Sequence, residues 1–274
     1  MELKDLLEFG ILNIDKPSGP TSFQVSNAVK KILGLRKTSH FGTLDPKVTG
    51  VLPVALNRAC KLTGFFLGHD KEYVGIMRFH EDVSKEKIKK AIKKKFVGII
   101  KQTPPVKSRV KRQEREREIK KFEIIEQNKK DFVFRAVVQG GTYIRKLIDD
   151  LGKEIGIGAH MLELRRTRAG IFKETNSITL YELEEAIKKD KLKELIVSGE
   201  KAVKEIFQEI QIKKDCVERV LRGQPIYFKN LKEKKEIKIG ETICIFAEKK
   251  FIGIFKVVNS EKVFAKSEFT FQEI

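Results

Sequence analysis

The sequence has few cysteines, and they form no recognisable pair. Cys60, Cys216 and Cys244 are widely separated in a chain of 274 residues, and the four histidines are equally scattered. An odd, dispersed set excludes a disulfide framework and a Cys-x-x-Cys metal site. These absences are typical of a reducing, intracellular compartment and indicate no bound metal.

Targeting and membrane-spanning segments are also lacking. Met1–Asp5 carries Glu2 and Asp5 where a signal peptide would be basic and then apolar. No apolar run approaches the roughly 20 residues that a helix needs to cross a bilayer. We therefore expect a soluble, cytoplasmic protein with no membrane partner.

Acidic residues are the minority among the charges. The chain has 57 Lys and Arg against 38 Asp and Glu, a formal net charge of +19. Such a surplus favours a polyanionic partner, because each neutralised phosphate releases condensed counterions. A bias of proteins from hot environments is the alternative, which the 35% charged residues and the absence of Trp also fit, but that bias adds both signs. Nucleic acid is therefore the favoured class of partner. The sequence shows no helix-turn-helix or zinc-binding pattern of the kind that would point to DNA.

Hydrophobic periodicity predicts an α+β fold, in which short apolar runs alternate with amphipathic segments. The predicted strands are residues 11–14, 122–125, 132–138, 242–246, 251–258 and 263–265, with a hairpin at 128–131. The predicted helices begin at Thr21 or Ser22, near Ser84 and at Ile144. We expect a sheet flanked by helices in residues 1–208, and a small β-barrel in residues 209–274.

The segment His40–Pro46 ends in an aspartate followed by proline, and two interpretations of it are open. Asp45 can be a helix N-cap with Pro46 at the first helical position, which is the commoner use of this dipeptide. Alternatively, Gly42 and a sharp turn present the Asp45 carboxylate in a cleft, with His40 upstream of it.

A glycine turn at Gly141 opens a predicted helix that carries Tyr143 and Arg145 near its start. The turn can be purely architectural. However, an arginine in the first turn opposes the helix dipole, which favours a carboxylate or phosphate partner for it. Lys71–Tyr73 and Glu163–Arg168 are weak signals alone, because a single strand tyrosine is usually a core residue.

Basic residues outnumber acidic ones between Lys107 and Lys121. Pro104 and Pro105 precede this stretch and keep the chain extended there. The stretch is either the solvated edge of a strand or an arm that lies along a phosphate backbone.

Together these segments resemble one family. Its motifs follow in order at residues 16–22, 42–56 (GTLDPKVTGVLPVAL), 71–73, 141–145, 158–160 and 164–168. This is the pattern of TruB-type pseudouridine synthases, and residues 47–48 and 71–74 look most like the archaeal dyskerin branch, the catalytic subunit of box H/ACA guide-RNA particles. The family implies an α+β pseudouridine synthase fold with a mixed, largely antiparallel sheet, followed by a PUA-like RNA-binding barrel. Ser39 and Phe41 depart from the pattern, since glycine is common at both positions.

The resemblance implies three catalytic residues. Asp45 matches the catalytic carboxylate, Tyr73 the tyrosine that stacks on the base and takes part in proton removal at C5, and Arg145 the arginine that pairs with the aspartate. The chemistry agrees, because breaking the N-glycosidic bond needs an ionised carboxylate, and an adjacent arginine keeps that charge. The base must also leave its stack, and stacking on Tyr73 would contribute about 1–3 kcal/mol. This reaction needs no metal and no organic cofactor.

The same resemblance implies residues for binding. Tyr143 and Leu164 match the lining of the uracil pocket, while Lys16 and His40 match residues that support the site and the flipped nucleotide. The basic stretch matches the family's thumb loop, which clamps RNA. The residues expected at the RNA backbone are therefore Arg109, Lys111 and Arg112.

The implied function is isomerisation of uridine to pseudouridine, guided by box H/ACA RNA on ribosomal RNA, with small accessory proteins as partners. A stand-alone enzyme for the T-loop of tRNA is the alternative, favoured by the compact C-terminus. A non-catalytic RNA-binding scaffold is a rival of another class, which the intact Asp45, Tyr73 and Arg145 disfavour. A DNA-binding module is the weakest rival.

Overall fold

The chain folds into both helices and strands in the computed structural model, which describes residues 1–104, 111–233 and 235–272. The α-helices are α1 (Leu3–Glu8), α2 (Ser22–Ile32), α3 (Thr63–Leu67), α4 (Lys85–Lys95), α5 (Ile144–Ile155), α6 (Leu180–Lys188), α7 (Leu192–Leu195), α8 (Gly199–Lys204) and α9 (Val217–Leu221). The strands are β1 (Gly10–Lys16), β2 (Thr38–His40), β3 (Thr49–Leu56), β4 (Lys71–Phe79), β5 (Gly98–Gln102), β6 (Arg115–Asn128), β7 (Asp131–Val138), β8 (Ala159–Ala169), β9 (Phe172–Lys173), β10 (Ile196–Ser198), β11 (Gln208–Gln211), β12 (Ile226–Tyr227), β13 (Thr242–Ala247), β14 (Lys250–Val257) and β15 (Val263–Thr270).

One mixed sheet organises the first of two compact units, Met1–Val197. Its strand order is β10-β1-β3-β8-β4-β7-β6-β5, with β2 beside β3 and β9 beside β8. Strand β4 pairs antiparallel with β8 and β7, whereas β3 and β8 run parallel. The parallel pair sets Thr49 and Gly50, at the start of β3, beside Arg165 and Arg166 of β8. The segment between β2 and β3 therefore lies next to the basic end of β8.

Helices α4 and α5 bury their apolar stripes in one core cluster with β4, β6, β7 and β8. Ile88 and Ile92 come from α4, while Leu147, Ile148 and Leu151 come from α5. Full burial of such a side chain contributes roughly 1.5–3 kcal/mol. A second cluster joins α2 and α6 to β1 and β3. The predicted flanking helices are thus present on the mixed sheet.

The local predictions in this unit are confirmed at their main points. The Thr21 hydroxyl caps α2 by accepting a hydrogen bond from the Gln24 amide, and Ser84 caps α4 in the same way. The predicted hairpin pairs Asn128 with Asp131, and Lys129 takes a positive φ of 52° in its turn. The basic stretch divides, since its part from Arg115 onward belongs to β6.

The second unit, Ser198–Ile274, carries a five-stranded sheet of order β11-β13-β14-β15-β12. Strands β13, β14 and β15 match the three predicted β runs, and an isolated bridge joins Ile212 to Leu231. The units divide at 197/198, whereas the sequence predicts a change of domain at 208/209. Helix α8 belongs with the second sheet because Lys204 lies 4.0 Å from the centre of the Phe246 ring and forms an ion pair with Glu209.

Two general features bear on the expectations from composition. Cys60, Cys216 and Cys244 are free thiols, and burial raises the pKa of the Cys244 thiol to about 12. Among the residues described, no helix is both long and apolar enough to cross a membrane.

Candidate active site

The turn between β2 and β3 presents the Asp45 carboxylate at the surface. Gly42 takes a φ of +101°, a conformation that suits glycine. Leu44 is buried, and the Ser22 hydroxyl bonds both its amide (2.8 Å) and its carbonyl (2.9 Å). No helix follows Asp45, since β3 begins at Thr49. The helix N-cap interpretation of this aspartate is therefore wrong, and Ser22 anchors the turn that exposes it.

Arg145 meets Asp45 across the site. Its Nη1 lies 2.8 Å from Asp45 Oδ2, and the two side chains are 67% and 52% exposed. Arg145 is the second residue of α5, where its charge opposes the helix dipole. Because the pair is open to solvent, it contributes little to stability, typically about 0–1 kcal/mol. The pair is therefore better explained by function than by folding.

An apolar floor lies beside this ion pair. Tyr73 and Leu164 are both about nine-tenths buried and belong to one core cluster that also contains Leu44 and Val48. They come from the neighbouring strands β4 and β8, where Gly75 pairs with Leu164 and Tyr73 pairs with Arg166. Leu44, next to Asp45 in the chain, and Ile144, next to Arg145, belong to the same cluster, so this floor adjoins the ion pair.

Tyr143 lies at the N-cap of α5 and is held through its backbone. Gln102 Oε1 accepts from the Tyr143 amide (3.0 Å), and Gln102 Nε2 donates to the Tyr143 carbonyl (3.2 Å). Gln102 is 2% exposed and ends β5. Sequence reasoning missed this glutamine because no local pattern links it to a helix that begins more than forty residues later.

Lys16 lies beneath the turn rather than in the cleft. Its side chain is fully buried, and its Nζ donates to the carbonyls of Pro17 (2.7 Å) and Pro46 (2.9 Å). Burial lowers the pKa of Lys16, and the nearby Asp45 charge opposes that effect. Lys16 therefore supports the chain on both sides of the site.

His40 and Phe41 bring the chain into the turn from β2. His40 Nε2 lies 3.2 Å from the Thr43 hydroxyl, and burial together with Arg166 lowers the pKa of this histidine. The ring is thus mainly neutral at pH 7. Phe41 is 2% exposed and stacks on Phe66 with ring centres 4.6 Å apart. This departure from the family's glycine is accommodated in the core.

The expected RNA-backbone residues are only partly described. Arg109 lies outside the described residues, while Lys111 and Arg112 are exposed just before β6. Their expected contact with phosphates stays a prediction.

Comparison with known proteins identifies the family. The model of the N-terminal domain of TruB family pseudouridylate synthases matches residues 30–144, and that of the tRNA pseudouridylate synthase B C-terminal domain matches residues 145–204. A Methanocaldococcus jannaschii protein named "Probable tRNA pseudouridine synthase B" is 42% identical over 252 residues, which are 89% of this chain and 74% of that protein. The chain belongs to the TruB family of pseudouridylate synthases. It is therefore an isomerase that acts on RNA, as the motifs predict.

Further TruB-family relatives and solved structures agree. The protein of the same name from Pyrococcus furiosus is 44% identical over 89% of this chain and 74% of its own length. A Cbf5–Nop10–Gar1 complex contains a chain that matches 99% of this one with a TM-score of 0.90 at 38% identity, covering 88% of that chain. The structure of an H/ACA ribonucleoprotein bound to a substrate RNA contains a chain that matches all of this one with a TM-score of 0.88 at 36% identity. The match covers 88% of that chain. The predicted pseudouridine synthase fold is confirmed.

Proposed function

We propose that this pseudouridine synthase modifies uridines in ribosomal RNA that a box H/ACA guide RNA selects. The observation that carries this proposal is the backbone agreement with the Cbf5 chain, at a TM-score of 0.90 over 99% of this sequence. That agreement extends through both units of the chain. The net charge of +19 suits a protein that contacts guide and substrate RNA together.

In this proposal Asp45 acts on the ribose of a flipped uridine, as a nucleophile or as the counter-ion of a sugar cation. The bond between N1 and C1′ breaks, the uracil turns, and a new bond forms between C5 and C1′. The proton on C5 is then lost and N1 gains one, so atoms and charge balance. The Arg145 guanidinium lies 2.8 Å from the carboxylate and holds it in place across the site.

The apolar floor serves the uracil base in the same scheme. Tyr73 offers a ring for stacking and a hydroxyl for proton removal at C5, and Leu164 and Tyr143 line the pocket of the uracil. Stacking on one aromatic ring contributes on the order of 1–3 kcal/mol, which offsets part of the cost of unstacking the base. His40 and Lys16 then act by shaping the turn.

The second unit and the partners complete the proposal. Its five-stranded sheet is assigned as a shortened PUA-like domain that binds RNA, with residues 1–208 as the catalytic domain. The assembly includes small accessory proteins of the kind seen in the Cbf5–Nop10–Gar1 complex. It acts in the cytoplasm and does not bind DNA. Lys111, Arg112 and Arg109 are assigned to the substrate backbone.

A stand-alone tRNA enzyme is the second candidate, favoured by the names of the curated relatives. The deciding experiment is pseudouridine formation by the purified full chain on an unmodified tRNA transcript without guide RNA. Product at the T-loop would establish an autonomous enzyme. Product only after box H/ACA RNA and accessory proteins are added would establish the guided function.

A further inference from the structure

Three buried cations surround the turn that carries Asp45. Among the described residues, the buried charged side chains are Lys16, Lys71 and Arg166, at 0%, 4% and 1% exposure. Each donates its hydrogen bonds to backbone carbonyls, and within the described ranges none pairs with a carboxylate. Burying a charge that forms no direct ion pair is unfavourable, so a cluster of such groups is a candidate for a functional role.

Arg166 bridges the two sides of the turn. Its Nη2 donates to the Gly42 carbonyl (2.9 Å), three residues before Asp45, and its Nε donates to the Val51 carbonyl (2.7 Å), in β3 after Asp45. A guanidinium is planar and rigid, so the two bonds fix the separation of the carbonyls they hold. The position of Asp45 between these two anchors is fixed accordingly.

The backbone of Arg166 is itself held in place. A Cβ added to Gly50 would lie 2.2 Å from the Arg166 carbonyl oxygen and 2.9 Å from its amide nitrogen. Strands β3 and β8 therefore approach each other here so closely that only glycine fits at position 50. The guanidinium thus starts from a fixed point on β8.

Lys71 places a second charge under the same glycine. A Cβ built on Gly42 would lie 3.5 Å from Arg166 Nη1 and 3.6 Å from Lys71 Cε. Lys71 Nζ donates to the carbonyls of Leu67 (2.6 Å) and His69 (2.7 Å). Both side chains thus approach Gly42, and the Arg166 charge, together with burial, lowers the pKa of Lys71.

We propose that Arg166 is a positioning residue for the isomerisation, which acts by holding the Gly42–Val51 turn so that Asp45 meets C1′ of the uridine. Lys71 supports the same turn from beneath Gly42. This proposal rests on the assignment of Asp45 as the catalytic carboxylate. Its neighbour Arg165 has no such part, because it points to Asp15 and Glu174 on the opposite face of β8.

The test compares Arg166→Gln and Arg166→Lys with the matched control Arg165→Gln in the full chain. Pseudouridine formation is followed under single turnover at saturating RNA, and the RNA dissociation constant and thermal midpoint are measured alongside. Because small misplacements of reacting groups cost about 100-fold in rate, we expect a loss of that order for Arg166→Gln. Its RNA affinity should stay within about threefold of the wild type, since the change acts on a step after binding.

Arg166→Lys keeps the buried charge without the planar fork, so its rate should lie between those of the wild type and Arg166→Gln. Wild-type rates for Arg166→Gln at saturating RNA would overturn the proposal, as would a loss no larger than that of Arg165→Gln. If Arg166→Gln does not fold, the Arg166→Lys comparison decides instead, and a wild-type rate there has the same meaning. Asp45→Asn, assayed in parallel, tests the catalytic assignment separately from the positioning role of Arg166. If Asp45→Asn stays active, the assignment of Asp45 as the catalytic carboxylate is wrong, whatever the Arg166 variants show.

Discussion

Arg145 and Asp45 form an ion pair between residues 100 positions apart, with 2.8 Å between Nη1 and Oδ2. Both side chains remain at least half exposed, so water and an incoming nucleotide have access to each of them. The pair is therefore arranged without RNA, and in the proposed function the uridine would enter a site whose charges already face each other.

Replacement of Asp45 by Asn should abolish pseudouridine formation and leave RNA affinity nearly unchanged. The amide is similar in shape but cannot attack C1′ or balance a developing positive charge. Product formation and the RNA dissociation constant are measured on the same preparation. Full activity of the variant would show that another residue is the catalytic carboxylate.

Replacement of Tyr73 by Phe should separate stacking from proton removal. The ring stays on the apolar floor, so RNA binding and folding should be retained, while the rate at saturating RNA falls because the hydroxyl is lost. Tyr73→Leu should in addition weaken RNA binding by roughly 1–3 kcal/mol, as expected for one lost stacking contact. Equal rates for Tyr73→Phe and the wild type would exclude a role for the hydroxyl.

Reversal of Lys111 and Arg112 to Glu should weaken substrate RNA binding and flatten its salt dependence. Each phosphate contact contributes about 0.7–0.9 to the slope of log K against log salt. Lys90→Glu with Lys94→Glu, on the exposed face of α4, is the control with the same change in net charge. An identical slope in both double variants would mean that the basic stretch is only a solvated strand edge. Arg109 can be added to the test as a third reversal.

The low pKa of Lys71, about 8, predicts that stability changes with pH. Burial is the main cause, Arg166 acts in the same direction, and Asp70, itself paired with Lys120, acts against it. Between pH 8 and the ordinary lysine pKa the unfolded chain keeps this proton and the folded chain has lost it, so a rise in pH favours folding. Below pH 8 both states are protonated and the penalty of burial is complete.

This effect is isolated by comparing the wild type with Lys71→Met. Between pH 8 and 10 the wild type should become more stable relative to Lys71→Met. The gain in its free energy of unfolding should be at most about 1.4 kcal/mol for each pH unit. Urea denaturation at several pH values provides the measurement. A difference that stays constant would mean that Lys71 keeps its charge throughout this range.

The sequence predicts the local elements of this fold well. The stripe of Ile144, Leu147, Ile148 and Leu151 predicts α5, and the turn residues at 128–131 predict the β6–β7 hairpin. Both signals lie within a few residues of the structure they form. The family motifs also identify Asp45 and Arg145, which the fold brings together as an ion pair.

What the sequence does not predict depends on contacts between distant segments. Gln102 holds the start of α5 through the backbone of Tyr143, and Arg166 becomes buried only because β8 runs parallel to β3. The residues around Gln102 and Arg166 in the sequence are the same kind that surround an exposed polar side chain, so they do not predict burial. The resemblance implies that Lys16 supports the site and the flipped nucleotide, but its buried position under Pro46 follows only from the path of the chain after β1.

The contact between Gly50 and the backbone of Arg166 limits how this site can vary. Gly50 has a φ of +101°, and no space remains for even one methyl group. In a saturation-mutagenesis library scored for pseudouridine formation, position 50 should tolerate as few substitutions as position 45, although glycine contributes no chemistry. Intolerance to mutation at this site should therefore extend beyond the residues that react.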